Sequence, residues 1–462
     1  MTVSHVLPSR PLPSREERTA WGRHLRHVLP RSAHEVLLPP EEDRNVLATL
    51  RAGTEGCLPH LVPLRFGRMA ASPFAFFRGT AGRMAADLAR TPVTGERVQA
   101  SGDAHCANFG AFATGERHLV FDLNDFDETL RAPWEWDIKR LAASLVLAGR
   151  TAGHTEREAR ASAQGAVRAY RLHTRTYATL PHLDVWYDRI DASEALADMG
   201  ADTRRHGHEM FSRARERTHL HTLRKLAERT PNGWRLRDDP PLLVHTDDPR
   251  LEGWDVSGWL DEVRGCYLDT VPPDRRALLA RYHLADWAMK VTGVGSCGRR
   301  VLVLLLAAEG DDVIFLQAKE ARSSVLEPFA GAAETRSAAH RVVFGQQLMQ
   351  SATDPFLGWA TCGPHTFYVR QLRDMKGRFD LERVRSRTLE EIGELCGWAL
   401  ARAHARTGDA AVTGAYMGGG ERFDCAVTAF AAAYADQAER DHAQLVQAIR
   451  GGEIEAEAHP ED

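Results

Sequence analysis

Between Gly102 and Asp137 the chain reads GDAHCANF, then VFDLNDFDE, then WEWDIKRLA. An Asp, an Asn five residues later and a run of acids therefore lie within one short span. The spacing predicts a tight loop from Gly102, followed by a hairpin in which NFGAFAT turns at Gly115 and Glu116 and returns as HLVFDLND. Such a hairpin carries Asp122, Asp125, Asp127 and Glu128 back towards Asp103. Phe121, Leu123 and Phe126 alternate with the acids, which favours a strand with one apolar face over a solvated turn.

Carboxylates and a neutral amide oxygen are hard donors and suit Mg²⁺ or Mn²⁺ better than zinc. In that chemistry Asp103 can orient or deprotonate an attacking hydroxyl, with Asn108, Asp125 and Asp127 as candidate metal ligands. His105 is expected to fix the loop by hydrogen bonding rather than to bind metal. The helix expected over 137–150 places Ile138, Leu141, Ala142 and Leu145 on one buried face.

A second stretch supplies what a nucleotide would need. Gly293, Gly295, Ser296 and Gly298 lie in GVGSCG, a GxGxxG pattern that is weak alone. A dinucleotide-binding turn leads into a helix, whereas this one enters VLVLLL, turns at Glu-Gly-Asp-Asp and returns as VIFLQAKEA. A glycine loop between antiparallel strands with a Lys on the next strand is the nucleotide-covering arrangement of protein kinases, and it makes Lys319 a phosphate ligand. Glu327 and Glu334 are the available helix partners for that Lys. Arg78, in SPFAFFRGTA, is either a clamp for phosphate or an acidic substrate, or an arginine packed on Phe76 or Phe77. His404 and the tryptophans Trp134, Trp136 and Trp359 read as interior residues.

These motifs resemble the catalytic region of aminoglycoside phosphotransferases and related small-molecule kinases. The resemblance implies Asp103 as catalytic base, Asn108 and Asp125 as metal ligands, and Asp137 as the structural acid that anchors the loop. Ser101 stands where such enzymes carry the His of their HGD triplet. A closer resemblance spans most of the chain: RFGRMAASPFAFFRGTA, SGDAHCANFG, NDFDET, GVGSCGRR, FLQAKEA, FYVRQLRDMKG, ALARAHARTGD and YADQAERD are similar to the bacterial family called domain of unknown function 2252.

The motif order is reversed relative to a conventional kinase, because the catalytic loop precedes the glycine loop and Lys. The expected fold is therefore α+β, a two-lobed protein kinase-like fold that is circularly permuted. FYVRQLRD becomes the hinge strand, with Gln371, Leu372 and Arg373 offering backbone contacts to adenine. The expected division is a mobile arm or surface wrap over 1–45, a catalytic block over 46–287 with an exposed excursion at 200–250, a nucleotide-binding block over 288–450, and a frayed acidic tail over 451–462.

Composition narrows the function classes. With 63 acidic against 59 basic residues among 462, the charge predicts no nucleic-acid footprint. Seven scattered cysteines without a CxxC pair fit reduced thiols, and no apolar run is long enough for a membrane span, so a cytoplasmic protein is expected. The function expected is an ATP- and Mg²⁺-dependent (or Mn²⁺-dependent) phosphotransferase acting on a small hydroxylated molecule or a protein. A nucleotide-binding pseudokinase with a regulatory role is the alternative, followed by a metallophosphoesterase suggested by GDAH.

Overall fold

A computed structural model describes residues 13–39, 44–216, 219–245, 256–372 and 375–458. It is a mixed helix and sheet protein. Its strands are β1 Arg97–Ala100, β2 Phe109–Ala113, β3 Leu119–Leu123, β4 Leu130–Pro133, β5 Ala227–Thr230, β6 Gly233–Leu236, β7 Leu243–Val244, β8 His283–Lys290, β9 Val301–Ala307, β10 Val313–Ala321, β11 Gly358–Cys362 and β12 His365–Gln371.

Six of them form an antiparallel sheet in the order β11-β12-β10-β9-β8-β7. The two apolar runs read as a hairpin in the sequence are β9 and β10. Because side chains alternate along a strand, β10 sends Leu316 and Ala318 to one face and Phe315, Gln317 and Lys319 to the other. Leu316 and Ala318 join Phe367 and Val369 in a core closed by Leu260, Val263 and Tyr267 of the Val256–Thr270 helix. The opposite face turns towards the helical part of the molecule, and register pairs Lys319 with Tyr368 there.

The helical part is built around Trp134–Thr151, which is buried from Trp134 to Gly149. A helix apolar or covered on every side belongs at the centre of a bundle. Glu156–Tyr177, Ser386–Ala405 and Arg422–Arg450 surround it. Gly397 permits the close approach of two of these helices, since a Cβ there would lie 2.1 Å from the Ala166 carbonyl oxygen. Trp134 is fully buried and stacks on Tyr170, and His404 bonds Tyr170 and Asp137, so both are interior residues as expected.

Residues 62–89 form the helices Val62–Ala70, Pro73–Arg78 and Ala81–Ala89, started by Pro near their N-termini in the first two cases. Two expectations need correction, those for 200–250 and for the tail, and one of the two readings of 1–45 is met. The described part of 1–45 is a docked wrap rather than a loose arm: a capping box of Ser14 and Glu17 starts the Arg15–Val28 helix, which buries Gly22 and Leu25 and pairs Arg18 with Asp409. The 200–250 stretch is no excursion in its described residues, because Leu223, Leu226, Leu236 and Leu243 pack with Ala288 and Val303 of the sheet. Past residue 450 the chain is also held, with Ile454 buried and Glu457 N donating to the Pro63 carbonyl.

All seven cysteines are free thiols. Among the described residues no helix is long and apolar enough to cross a membrane.

Candidate functional site

The 102–108 loop is shaped from below by Asp137. Its two carboxylate oxygens accept from the backbone N–H of Ser101 at 2.6 Å and of Gly102 at 3.0 Å. Gly102 takes φ +77°, and a Cβ there would lie 2.4 Å from the Glu128 carbonyl oxygen, so only Gly lets the two loops approach. Asn108 Nδ2 donates to the Asp103 carbonyl at 2.8 Å, and His105 N donates to the same oxygen at 2.8 Å. The nitrogen end of the Asn108 amide is thus committed to the loop, and its oxygen end is what it can offer a cation. β2 and β3 then pair antiparallel, as the turn chemistry predicted.

The hairpin does not deliver all its acids to one place. Asp122 is fully buried and accepts Arg402 Nη2 on both oxygens at 2.7 Å, with Ser351 alongside. It therefore belongs to the seam with the Ser386–Ala405 helix. Asp125 stays beside the loop: Ser101 Oγ meets its carbonyl at 3.4 Å, and its Oδ1 accepts from Asp127 N at 3.1 Å.

Asp127 makes the connection to the sheet. Its Oδ2 lies 2.6 Å from Lys319 Nζ and 3.1 Å from Arg299 Nη1, and Ser296 Oγ is 3.4 Å away. Tyr368 donates its hydroxyl to Oδ1 at 2.8 Å. Burial alone would raise the carboxyl, but the charges of Lys319 and Arg299 outweigh it and hold Asp127 well below the usual carboxylate range. Lys319 is raised in turn: burial opposes its charge, and Asp127 more than compensates, with Asp125 adding to the effect. The acidic partner of Lys319 is therefore Asp127; Glu327 instead accepts from Ser324 N, and Glu334 is exposed.

The glycine loop sits between β8 and β9, which pair antiparallel. It forms a 3-10 turn over Val294–Ser296, followed by Gly298 at φ +93°. Helix Val62–Ala70 pins it from outside: Arg65 Nη1 donates to the carbonyls of Gly295 and Cys297, and Arg68 Nη1 to that of Thr292. The Gly293 carbonyl accepts from Ser296 N and Cys297 N within the turn. Arg78 ends the neighbouring helix, and its carbonyl is 3.7 Å from where a Gly295 Cβ would be. The guanidinium that lies over the Phe77 ring, at 4.3 Å, belongs to Arg140.

At the end of β12 Gln371 N donates to Asp354 Oδ2 at 2.8 Å, and just beyond it Leu372 N donates to the Phe315 carbonyl at 2.9 Å. The amide donors expected to meet adenine are thus engaged within the protein. Arg373 lies outside the described residues. Between this strand and the β2–β3 hairpin is a cleft of about 30 Å³ lined by Phe112, Asn124, Gln350, Asp354, Arg370 and Lys376. A larger cavity of about 330 Å³, beside Arg15, Tyr177 and Ala410, is remote from every residue above.

On the other side of the loop, Asp103 is paired with Arg140, Nε at 2.6 Å and Nη2 at 2.5 Å from Oδ1. Burial pushes its carboxyl up, to about 6 on balance, with Arg140 pulling down and Asp125 and Glu128 pushing up. His105 is buried, with Nε2 3.8 Å from Asp103 Oδ2; burial, assisted by Arg78, Arg140 and Arg378, keeps its ring neutral. Reading the sequence missed Arg140, Arg299 and Tyr368. The available signals were the one-turn spacing of Arg140 from Asp137, the Arg immediately after the glycine loop, and the alternation of Tyr368 with Phe367 and Val369.

Among the described residues no three His, Cys, Asp or Glu side chains converge as a metal cluster. Asn108 and Asp125 lie beside the 102–108 loop, whereas both carboxylate oxygens of Asp127 are taken by Lys319, Arg299 and Tyr368.

The chain belongs to a bacterial family described as "Uncharacterized protein conserved in bacteria (DUF2252)", whose profile matches residues 57–448. No curated protein and no solved structure matches the chain.

Proposed function

We propose that the protein is an ATP- and Mg²⁺-dependent phosphotransferase with a two-lobed, circularly permuted kinase-like fold, acting on a small hydroxylated molecule or a protein. One observation carries the reading: Lys319, on the strand after a glycine loop, meets the acids that follow the Asp103–Asn108 loop, at 2.6 Å from Asp127. Two motif sets far apart in sequence thereby meet, as holding a polyphosphate between a cation and a metal site would require. The grip of Asp137 on the loop backbone gives that loop a fixed base.

In this reading Asn108, Asp125 and Asp127 would hold the metal, which neutralises charge on the β- and γ-phosphates when bound. Lys319, and the loop of Gly293, Gly295, Ser296 and Gly298, would hold the phosphate chain, with Gln371 and Leu372 beside the base. Asp103 takes the proton from the acceptor hydroxyl as that oxygen bonds to the γ-phosphorus, and the bond from γ-phosphorus to the β-bridging oxygen breaks to release ADP. Binding must displace Lys319 and Arg299 from Asp127, because the pair closes the place where phosphate and metal would lie. That closed state also favours the second reading, a nucleotide-binding pseudokinase.

The experiment compares wild type with Asp103→Asn by transfer of labelled γ-phosphate from ATP to a panel of hydroxylated compounds, with thermal shift for nucleotide binding. Transfer is expected in wild type alone, with ATP shifting the melting of both proteins. Binding without transfer in wild type selects the pseudokinase, and absence of any nucleotide shift removes both readings.

A further inference from the structure

Arg140 lies one turn beyond Asp137 on the same helix, with its side chain 2% exposed. Three contacts besides Asp103 hold its guanidinium. Nη2 donates to the Phe77 carbonyl at 3.0 Å, Nη1 meets the Met84 sulfur at 3.5 Å, and the group lies over the Phe77 ring. So held, it approaches Asp103 from one direction only. Both Nε and Nη2 take the same oxygen, Oδ1. Oδ2 stands 3.8 Å from His105 Nε2, beyond hydrogen-bond length.

We infer that Arg140 is a positioning residue for Asp103: by occupying Oδ1 it fixes the rotation of the carboxylate and presents Oδ2 as the oxygen that meets an acceptor hydroxyl. The hydroxyl rests on the phosphotransferase reading above, whereas the ion pair does not. A planar fork anchored at its other nitrogens sets an angle that a point charge cannot.

The test uses the full chain with Arg labelled by ¹⁵N and Asp by ¹³C, at a single pH and without nucleotide. A correlation through the hydrogen bond from Arg140 Nε to the Asp103 carboxyl carbon is expected in wild type, with its two ends assigned by their loss in Arg140→Lys and Asp103→Asn; its absence from a folded wild type overturns the inference. Arg140→Lys keeps the charge but not the fork, and is expected to retain a cooperative melt and to lose about tenfold or more in kcat with an unaltered nucleotide KM, as misplacement of a base does. An unchanged kcat in that folded variant also overturns the inference. The correlation in a protein whose wild type transfers no phosphate upholds the role of Arg140 on the carboxylate and sinks the phosphotransferase reading instead.

Discussion

Lys319 Nζ and Asp127 Oδ2 are 2.6 Å apart, and each is almost wholly removed from water. The pair joins the six-stranded sheet to the segment that follows the β2–β3 hairpin, with Arg299 and Tyr368 completing the surroundings of the carboxylate. Removing one member of a buried pair leaves the other uncompensated, which outweighs the value of the contact itself.

Lys319→Ala should therefore do two things at once. Stability falls, by about 2 kcal/mol and less than for an isolated buried pair because Arg299 still faces Asp127. ATP binding also weakens, by about tenfold or more, through loss of a phosphate ligand. Urea unfolding reads the first and titration calorimetry the second; unchanged ATP affinity in a folded variant would remove Lys319 from the nucleotide site.

Asp122 and Asp125 are three residues apart and should behave differently. Asp122→Ala strands the fully buried Arg402 and should cost about 3–5 kcal/mol of stability. Asp125→Ala should lose phosphoryl transfer while changing stability by about 1 kcal/mol or less. Denaturant midpoints of the two variants, measured side by side, check the contrast.

Asp137→Ala removes the acceptor of two backbone N–H groups and the partner of His404. The expected cost is about 2–4 kcal/mol, because Ser101 and Gly102 are buried and their N–H groups would go unpaired. Amide hydrogen exchange at Ser101 and Gly102 should accelerate more than at the centre of Trp134–Thr151; uniform acceleration would mean that the anchor acts only through global stability.

The pH dependence follows from the sign of the Asp103 shift. Its folded value, about 6, lies above the ordinary 3.8, so between these the native state binds more protons than the unfolded state and stability rises as pH falls. Relative to Asp103→Asn, wild type should gain up to about 3 kcal/mol between pH 7 and pH 4. Asp127 acts oppositely, its contribution being lost as pH falls below the ordinary carboxylate range, and it cancels in that comparison. Activity that needs ionised Asp103 should fall on the acid side with a midpoint near 6. A wild-type minus variant difference that is flat across this range would refute the raised value.

The hairpin, the β9–β10 pair and the long helices were legible because each rests on local periodicity or turn chemistry. Loop glycines were legible for a similar reason, since Gly102 and Gly298 adopt conformations that other residues avoid. What could not be read was partnership across the chain. Alternation placed Asp122 on a strand face but could not tell that Arg402, on a helix 280 positions away, would claim it. Likewise nothing local distinguishes Asp127 from Asp125 as the acid that meets Lys319, because the choice depends on how the sheet docks. The described part of 200–250 misled for the opposite reason: its many charges hide the few leucines that hold it to the sheet.

The order of the motifs also sets a timetable for synthesis. Asp127 leaves the ribosome well before Arg299 and Lys319, by roughly 10–35 seconds at common elongation rates. Through that interval its carboxylate has no cation of the sheet to meet, and Trp134–Thr151 lacks the Ser386–Ala405 and Arg422–Arg450 helices that later cover it. The first half of the chain therefore has no finished interior of its own, and a nascent product stopped short of the last helix should be a substrate for chaperones and proteases rather than a partial enzyme.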